Sequence, residues 1–256
     1  MRMLRISSPL PSAMLALILA AARADANDAM TAMPDFGMEA MMSEMGGQVF
    51  AHALLDQFEG RLGASGGAVR WDGQGWIGGD YDKLWIKSEG KVRDDGRVAD
   101  GDHELLYDRA VSTYFDLQAG LRSDLDSLST RNWAAFGVQG LAPLFFEVQA
   151  TGFVSDNGHL AAKFQGSYDL LLTQRLILQP QLELNLYSRA DPKRHDGAGL
   201  SDIDAGLRLR YEITRKLAPY AGITYSGQFG GTANFARQAG ESPSDLRFVV
   251  GIHQWF

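Results

Sequence analysis

Residues Leu176–Ser188 read LILQPQLELNLYS, and their alternation decides the fold. Leu176, Leu178, Leu182, Leu184 and Leu186 share one parity, while Gln179, Gln181, Glu183 and Asn185 share the other. That period of two belongs to a strand, because a helix repeats its faces every 3.6 residues. Pro180 falls on the apolar parity and brings no N–H to a ladder, so a bulge or irregularity is expected beside it. Asp202–Ile213, DIDAGLRLRYEI, repeats the pattern, with Ile203, Ala205, Leu207, Leu209, Tyr211 and Ile213 opposed to Asp204, Arg208, Arg210 and Glu212. A soluble sandwich also alternates, but its inward faces must be apolar. Here both signs of charge share the polar face, which suits a watery lumen behind a lipid-directed wall.

Working outward from these two strands, twelve such segments run from about residue 52 to residue 256, separated by clusters of Gly, Asp, Asn, Pro and Ser. The number is even, and short connections alternate with longer ones such as RDDGRVADGDH (93–103), ADPKRHDGAGL (190–200) and GGTANFARQAGESPS (230–244). Bacterial outer-membrane barrels have this arrangement, with short turns and both termini on the periplasmic side. The final segment, DLRFVVGIHQWF, sets Leu246, Phe248, Val250, Ile252 and Phe256 on one parity, and its terminal Phe resembles the signal carried by many proteins inserted into that membrane. The expected fold class is all-β: one antiparallel transmembrane outer-membrane barrel of about 12 strands, with a short Met-rich amino-terminal extension.

The chain opens with Arg2 and Arg5, an apolar run AMLALILAAA (13–22) and the small residues ARADA, the layout of a secretory signal peptide cut after Ala26. The apolar core is about half of what a spanning helix needs. The expected division is residues 1–26 as signal peptide, 27–49 as a Met-rich periplasmic extension and 50–256 as the barrel. Loss of Arg2, Arg5, Arg23 and Asp25 with the signal leaves 21 basic against 30 acidic side chains, a net charge of −9, which argues against nucleic acid as a partner. There are no cysteines, so neither disulfides nor thiolate ligands contribute.

The stretches RNWAAFGVQGLAPLFFEVQATGFVSDNG (131–158), YDLLLTQRLILQPQLELNLYS (168–188), GLSDIDAGLRLRYEITRKLAPYAGI (199–223) and DLRFVVGIHQWF (245–256) belong to a similarity that runs from about Asp56 to Phe256. Together they resemble the outer-membrane copper resistance protein B family. The resemblance implies a barrel in the cell outer membrane of a Gram-negative bacterium, acting in copper resistance, with a Met-rich extension that handles copper. Family extensions commonly repeat Met with His and Asp, whereas Met30–Met45 here contains no His.

MTAMPDFGMEAMMSEM, Met30–Met45, holds six of the nine methionines, and none follows Gly46. Thioether sulfur is neutral and soft, so it suits Cu(I) and does little for Mg2+ or Ca2+. A helix over Phe36–Gly46 would line up Met38, Met42 and Met45, with Met41 adjacent. His52 opens the first strand and His253 lies near the end of the last, and closure of a barrel pairs those strands at the periplasmic end. The candidate metal ligands are therefore Met38, Met41, Met42, Met45, His52 and His253, with copper, Cu(I) by preference, as the ion. The competing reading is a Met stripe that packs as an apolar face and a rim histidine that makes a hydrogen bond. Luminal Asp116, Glu147, Asp204 and Glu212 lie opposite Arg122, Lys163, Arg208, Arg210 and Arg247, and paired charges filling a narrow lumen are the simpler account of them. No Ser and His pair stands in a recognisable catalytic setting, so no enzymatic activity is expected. The expected function is copper binding at the periplasmic side, with passage across the outer membrane as an extension. The expected partners are copper ions, outer-membrane lipid and a periplasmic copper oxidase or carrier. An outer-membrane lipid hydrolase and a small non-specific channel are the alternatives.

Overall fold

The computed structural model describes residues 49–64, 66–125 and 130–256. The described segments, in order, are β1 (Phe50–Gly63), β2 (Gly66–Gly78), β3 (Asp82–Arg93), β4 (Val98–Ala110), β5 (Phe115–Leu125), β6 (Thr130–Ala142), β7 (Phe146–Ser155), β8 (Leu160–Ser167), β9 (Leu170–Leu171), β10 (Leu176–Tyr187), β11 (Gly199–Tyr211), β12 (Leu217–Gln228), α1 (Gly230–Gln238) and β13 (Ser244–Trp255). A 3-10 turn, Pro143–Phe145, joins β6 to β7.

β8 and β9 are one strand in two pieces. Gln181 pairs with Ser167 and Ile177 with Leu171, so the register is the same on both sides of the gap, and the gap falls opposite Pro180. Proline has no N–H to give to the neighbouring strand. Tyr168 N–H still reaches the Pro180 carbonyl at 3.2 Å. The expected irregularity thus interrupts the neighbour instead of bulging β10, whose ladder with β11 runs through Pro180↔Leu207 and shifts only between Asn185 and Leu186. Counted this way the wall has twelve strands. β1 pairs with β13 from Leu54↔Trp255 to Gly63↔Arg247, and β10 pairs with β11, so the sheet closes into a barrel without a free edge.

The wall is inverted relative to a soluble protein. Among the described residues, twenty-one buried side chains are polar or charged and ten are apolar. On the outer surface Phe58, Leu62, Leu121, Phe136, Phe248 and Val250 remain 42% to 71% exposed. An apolar surface that continuous is not compatible with water and is the normal exterior of a membrane barrel. Within β10 the parity is as the leucines indicate: Leu182 and Pro180 are exposed, whereas Ile177 and Glu183 are buried inside. At the end where β1 begins and β13 ends, Tyr81, Tyr114, Phe145 and Phe146 are exposed on or beside tight turns and form an interfacial aromatic girdle, the periplasmic side by the usual rule.

Loop lengths depart from expectation. The stretch expected as a long loop at 93–103 is largely strand, because β4 already starts at Val98. Among the described residues, 188–198 and 229–243 make the long outer connections, and the second contains α1, which the strand pattern does not indicate. Thr232, Ala233 and Ala236 of α1 are buried, and Thr232 Oγ1 accepts from Gly197 N–H at 2.8 Å while lying 2.9 Å from Ser201 Oγ. Arg131 of β6 pairs with Asp191, and Arg194 approaches Asp124 of β5 at 3.7 Å, which carries the 188–198 loop over the outer mouth.

The face assignment predicts that Leu184→Arg, which sets a charge on the lipid face, destabilises the inserted barrel by roughly 2 to 4 kcal/mol. Asn185→Arg should cost much less, because Asn185 already donates to Glu183 and Asp202 inside the lumen. Urea unfolding in lipid vesicles measures both, and equal losses would reverse the faces.

Candidate functional site

The periplasmic mouth is shaped by one extra residue in β1. Leu55 pairs with Gly73 but Gln57 with Asp72, and on the other side Leu55 pairs with Gln254 but Phe58 with Ile252. Asp56 is the residue left over. A bulge of this kind reverses the side-chain parity of everything before it. Phe58 and Leu62 face lipid, and without the bulge His52 would face lipid too. With it, His52 turns inward and stacks between Trp76 and Trp255, at ring-centroid distances of 6.1 and 5.8 Å. Trp85 continues the row, 6.3 Å from Trp76, so four rings from β13, β1, β2 and β3 line one side of the entrance.

His253 is luminal, as its parity indicates. Its Nδ1 lies 3.2 Å from both Asp56 Oδ1 and the Asp56 carbonyl oxygen, while Trp255, two residues further along β13, stacks on His52. The two histidines therefore line the same mouth but keep different partners, one aromatic and one acidic. Among the described residues, no group of three or more His, Cys, Asp or Glu side chains has the geometry to hold a metal ion. Met38, Met41, Met42 and Met45 lie outside the described residues; the chain containing them enters the barrel at Phe50, at this mouth. Asp56 was not singled out by the sequence reading. Its signal is the run Leu54-Leu55-Asp56-Gln57, two apolar then two polar residues, which breaks the period of two where the bulge lies.

Above the mouth is a cavity of about 410 Å3, in the half of the lumen where β1 begins and β13 ends, since its lining includes Leu54, Gln74, Trp85, Asp116, Glu147 and Ser167. Among the described residues, seven that line it are Asp or Glu, and the cations that line it are Lys87 and Lys163. The cavity is an acidic cup. It ends against a ring of charges that crosses the lumen: Arg70 Nη2 lies 2.9 Å from Glu183 and 3.5 Å from Glu89, and Lys163 pairs with Glu89 and lies 3.7 Å from Glu183. These four residues come from β2, β10, β3 and β8, on opposing walls. Beside them Arg61, fully buried, bridges Glu59 at 2.8 Å and Asp204 at 2.7 Å, while Arg208 donates to Glu59, Gln57 and Gln181 at 2.8 to 3.0 Å. Asp204, Lys163 and Arg208 thus belong to the filling of the lumen, as the simpler account of the luminal charges has it. Glu212 does not: it lies beyond the end of β11, in the turn to β12, where its N–H donates to the Arg175 carbonyl.

Comparison with known proteins gives the same architecture and adds a lineage. Residues 49–256 match the family model described as copper resistance protein B precursor (CopB). The chain is similar to the copper resistance protein B homolog of Pseudomonas syringae pv. tomato (strain ATCC BAA-871 / DC3000), 45% identical over 206 residues, covering 80% of this chain and 70% of that protein. It is also similar to copper resistance protein B of Escherichia coli, 45% identical over 203 residues, covering 79% of this chain and 68% of that one. Among solved structures it is similar to the NanC porin, with a TM-score of 0.54 and 13% identity over 77% of this chain and 98% of that one. At that identity the likeness concerns the barrel fold alone.

The charge ring carries its own test. Arg70→Met takes the nearest cation from the buried Glu183 carboxylate, leaving it Lys163 at 3.7 Å and the Asn185 amide, and should cost at most roughly 3 to 5 kcal/mol, whereas Arg70→Met with Glu183→Leu should recover most of the loss. A double-mutant cycle by denaturant unfolding in detergent reads the coupling, and additive losses would mean that the two side chains do not act as a pair.

Proposed function

The chain belongs to the copper resistance protein B family, and from that premise we propose that it binds copper at the periplasmic mouth of the barrel and retains it on that side. The donors in this reading are the thioethers of Met38, Met41, Met42 and Met45, joined by the imidazoles of His52 and His253. The observation that carries it is the contact of His253 Nδ1 with Asp56. A carboxylate on one ring nitrogen orients the imidazole and leaves the other free to point at an ion, the arrangement that metal-binding histidines commonly use. Nε2 of His253 is then the donor atom. The segment that carries the methionines joins β1 at the same opening, and His52 stands among tryptophan faces, surroundings that accept a soft monovalent cation.

Thioether and imidazole ligands have no thiol to oxidise, so such a site keeps its ligands in an oxidising compartment. Retention on the periplasmic side agrees with the charge ring above the cup: passage across the outer membrane requires the Lys163–Glu89 and Arg70–Glu183 pairs to part. A periplasmic copper carrier or oxidase is the class of partner that meets this face.

Replacing Met38, Met41, Met42 and Met45 together by Leu keeps apolar volume at a cost below about 1.5 kcal/mol each, yet removes every sulfur lone pair. Cu(I) affinity, measured in detergent by competition with a calibrated chelator, should fall, and Zn2+ should not compete. Adding His253→Ala should lower it further, since the segment and the mouth share one ion. Unchanged affinity in the four-Leu protein would sink the proposal.

A further inference from the structure

Lys87 projects from β3 into the acidic cup, and its ammonium is saturated. Nζ donates to Oε1 of Gln118 at 3.1 Å, of Gln139 at 3.1 Å and of Gln149 at 3.0 Å. An ammonium has three N–H donors, and here each has an acceptor. The acceptors come from β5, β6 and β7, none of which is a sheet neighbour of β3, so the side chain reaches away from its own strand to meet them.

The three carboxamides are held from behind. Nε2 of Gln118 and of Gln139 donate to Asp108 Oδ2 at 2.9 and 3.2 Å, and Nε2 of Gln149 donates to Thr151 Oγ1 at 3.2 Å. Asp108 is fully buried. With each amide nitrogen tied to an oxygen of the wall, the three amide oxygens converge on one point. The Trp85 ring centroid lies 5.3 Å from the same nitrogen and adds an aromatic face. Convergent amide oxygens are the donors that hard cations take, at about 2.3 to 2.6 Å for Ca2+. Inward movement of each oxygen by about half an ångström would bring three of the roughly six to eight oxygens that Ca2+ takes to bonding distance, with water and the neighbouring carboxylates to supply the rest.

We propose that these oxygens form a preformed cation seat whose resident occupant is the Lys87 ammonium, and that Lys87 is thereby a specificity-determining residue: it denies the seat to hard, oxygen-seeking cations. A cup lined by seven carboxylates would otherwise draw in Ca2+ or Mg2+. Glu104, opposite Lys87 across the β3–β4 ladder, is buried, and its Oε2 has no hydrogen-bond partner among the described residues, so the charge that would favour such an ion is already in place. Filled by a tethered ammonium, the three convergent amide oxygens are withdrawn from hard cations, and the soft donors proposed for the mouth lie outside the seat. The seat rests on this geometry alone; its bearing on copper selectivity rests on the copper reading of the mouth.

The test uses Tb3+ as a hard-cation probe of the full chain in detergent, with Trp85 as the luminescence sensitiser. Lys87→Met should gain tryptophan-sensitised emission at Tb3+ concentrations about tenfold below those that wild type needs. Replacing Gln139 and Gln149 by Leu in that variant should abolish the gain. Lys87→Met with Glu104→Gln, which restores the local charge balance, keeps the seat testable if the single variant folds poorly, and should also bind more tightly than Glu104→Gln alone. A Lys87→Met titration that matches wild type, or a gain that survives loss of the glutamines, overturns the proposal. No copper enters these titrations, so failure of the copper reading leaves their result standing. In a separate arm, excess Ca2+ should depress Cu(I) binding in Lys87→Met and leave wild type unchanged. Equal sensitivity in the two proteins would overturn the selectivity role.

Discussion

A charged side chain inside a barrel of this width has little water to solvate it, so it must find an opposite charge on another strand. The interior of the protein is organised by that requirement. Arg70, Glu183, Lys163 and Glu89 alternate in sign around the lumen, and each touches two of the others. Arg61 and Arg208 extend the network to Glu59, Asp204 and Tyr220, whose hydroxyl donates to Glu59 at 2.9 Å. Strands whose outer faces are only greased by lipid are thus tied together from within. The same pairs divide the lumen, so the interactions that hold the walls together also separate the cup from the outer mouth.

The barrel was legible in the sequence because its signal is local. Leucines at every second position of Leu176–Leu186, set against Gln179, Gln181 and Glu183, carry the strand period and the identity of both faces. Twelve strands, their near-true limits and the closure of the first on the last all follow from repeating that reading. The charged partners were not legible, since Arg70 and Glu183 are far apart in sequence and nothing near either residue names the other. α1 was hidden for a different reason. It is a nine-residue helix in a loop, anchored by the contacts of Thr232 with Gly197 and Ser201, and the face it buries, Thr232, Ala233 and Ala236, is too short and too small-residued to stand out as a periodic apolar pattern.

The candidate site was half legible. His253 could be placed in the lumen by counting back from Phe256, and the structure agrees. His52 was paired with it on the argument that first and last strands meet, yet a strict count from Phe58 would have put His52 in lipid. What brings it inside is Asp56, which also supplies the carboxylate for His253. One inserted residue therefore does two things at the mouth: it turns the ring of His52 inward and provides the anchor of His253. Lys87 shows the complementary lesson, that a lysine among many acids is defined less by those acids than by the neutral amides that hold it.

The pairing of His253 with Asp56 also has a temporal side. Asp56 belongs to the first strand and His253 to the last, so they meet only when the seam between β1 and β13 has zipped shut. A chain whose final strand is not yet laid down owns both residues but not the contact, so any chemistry that depends on this pair waits for the seam to close.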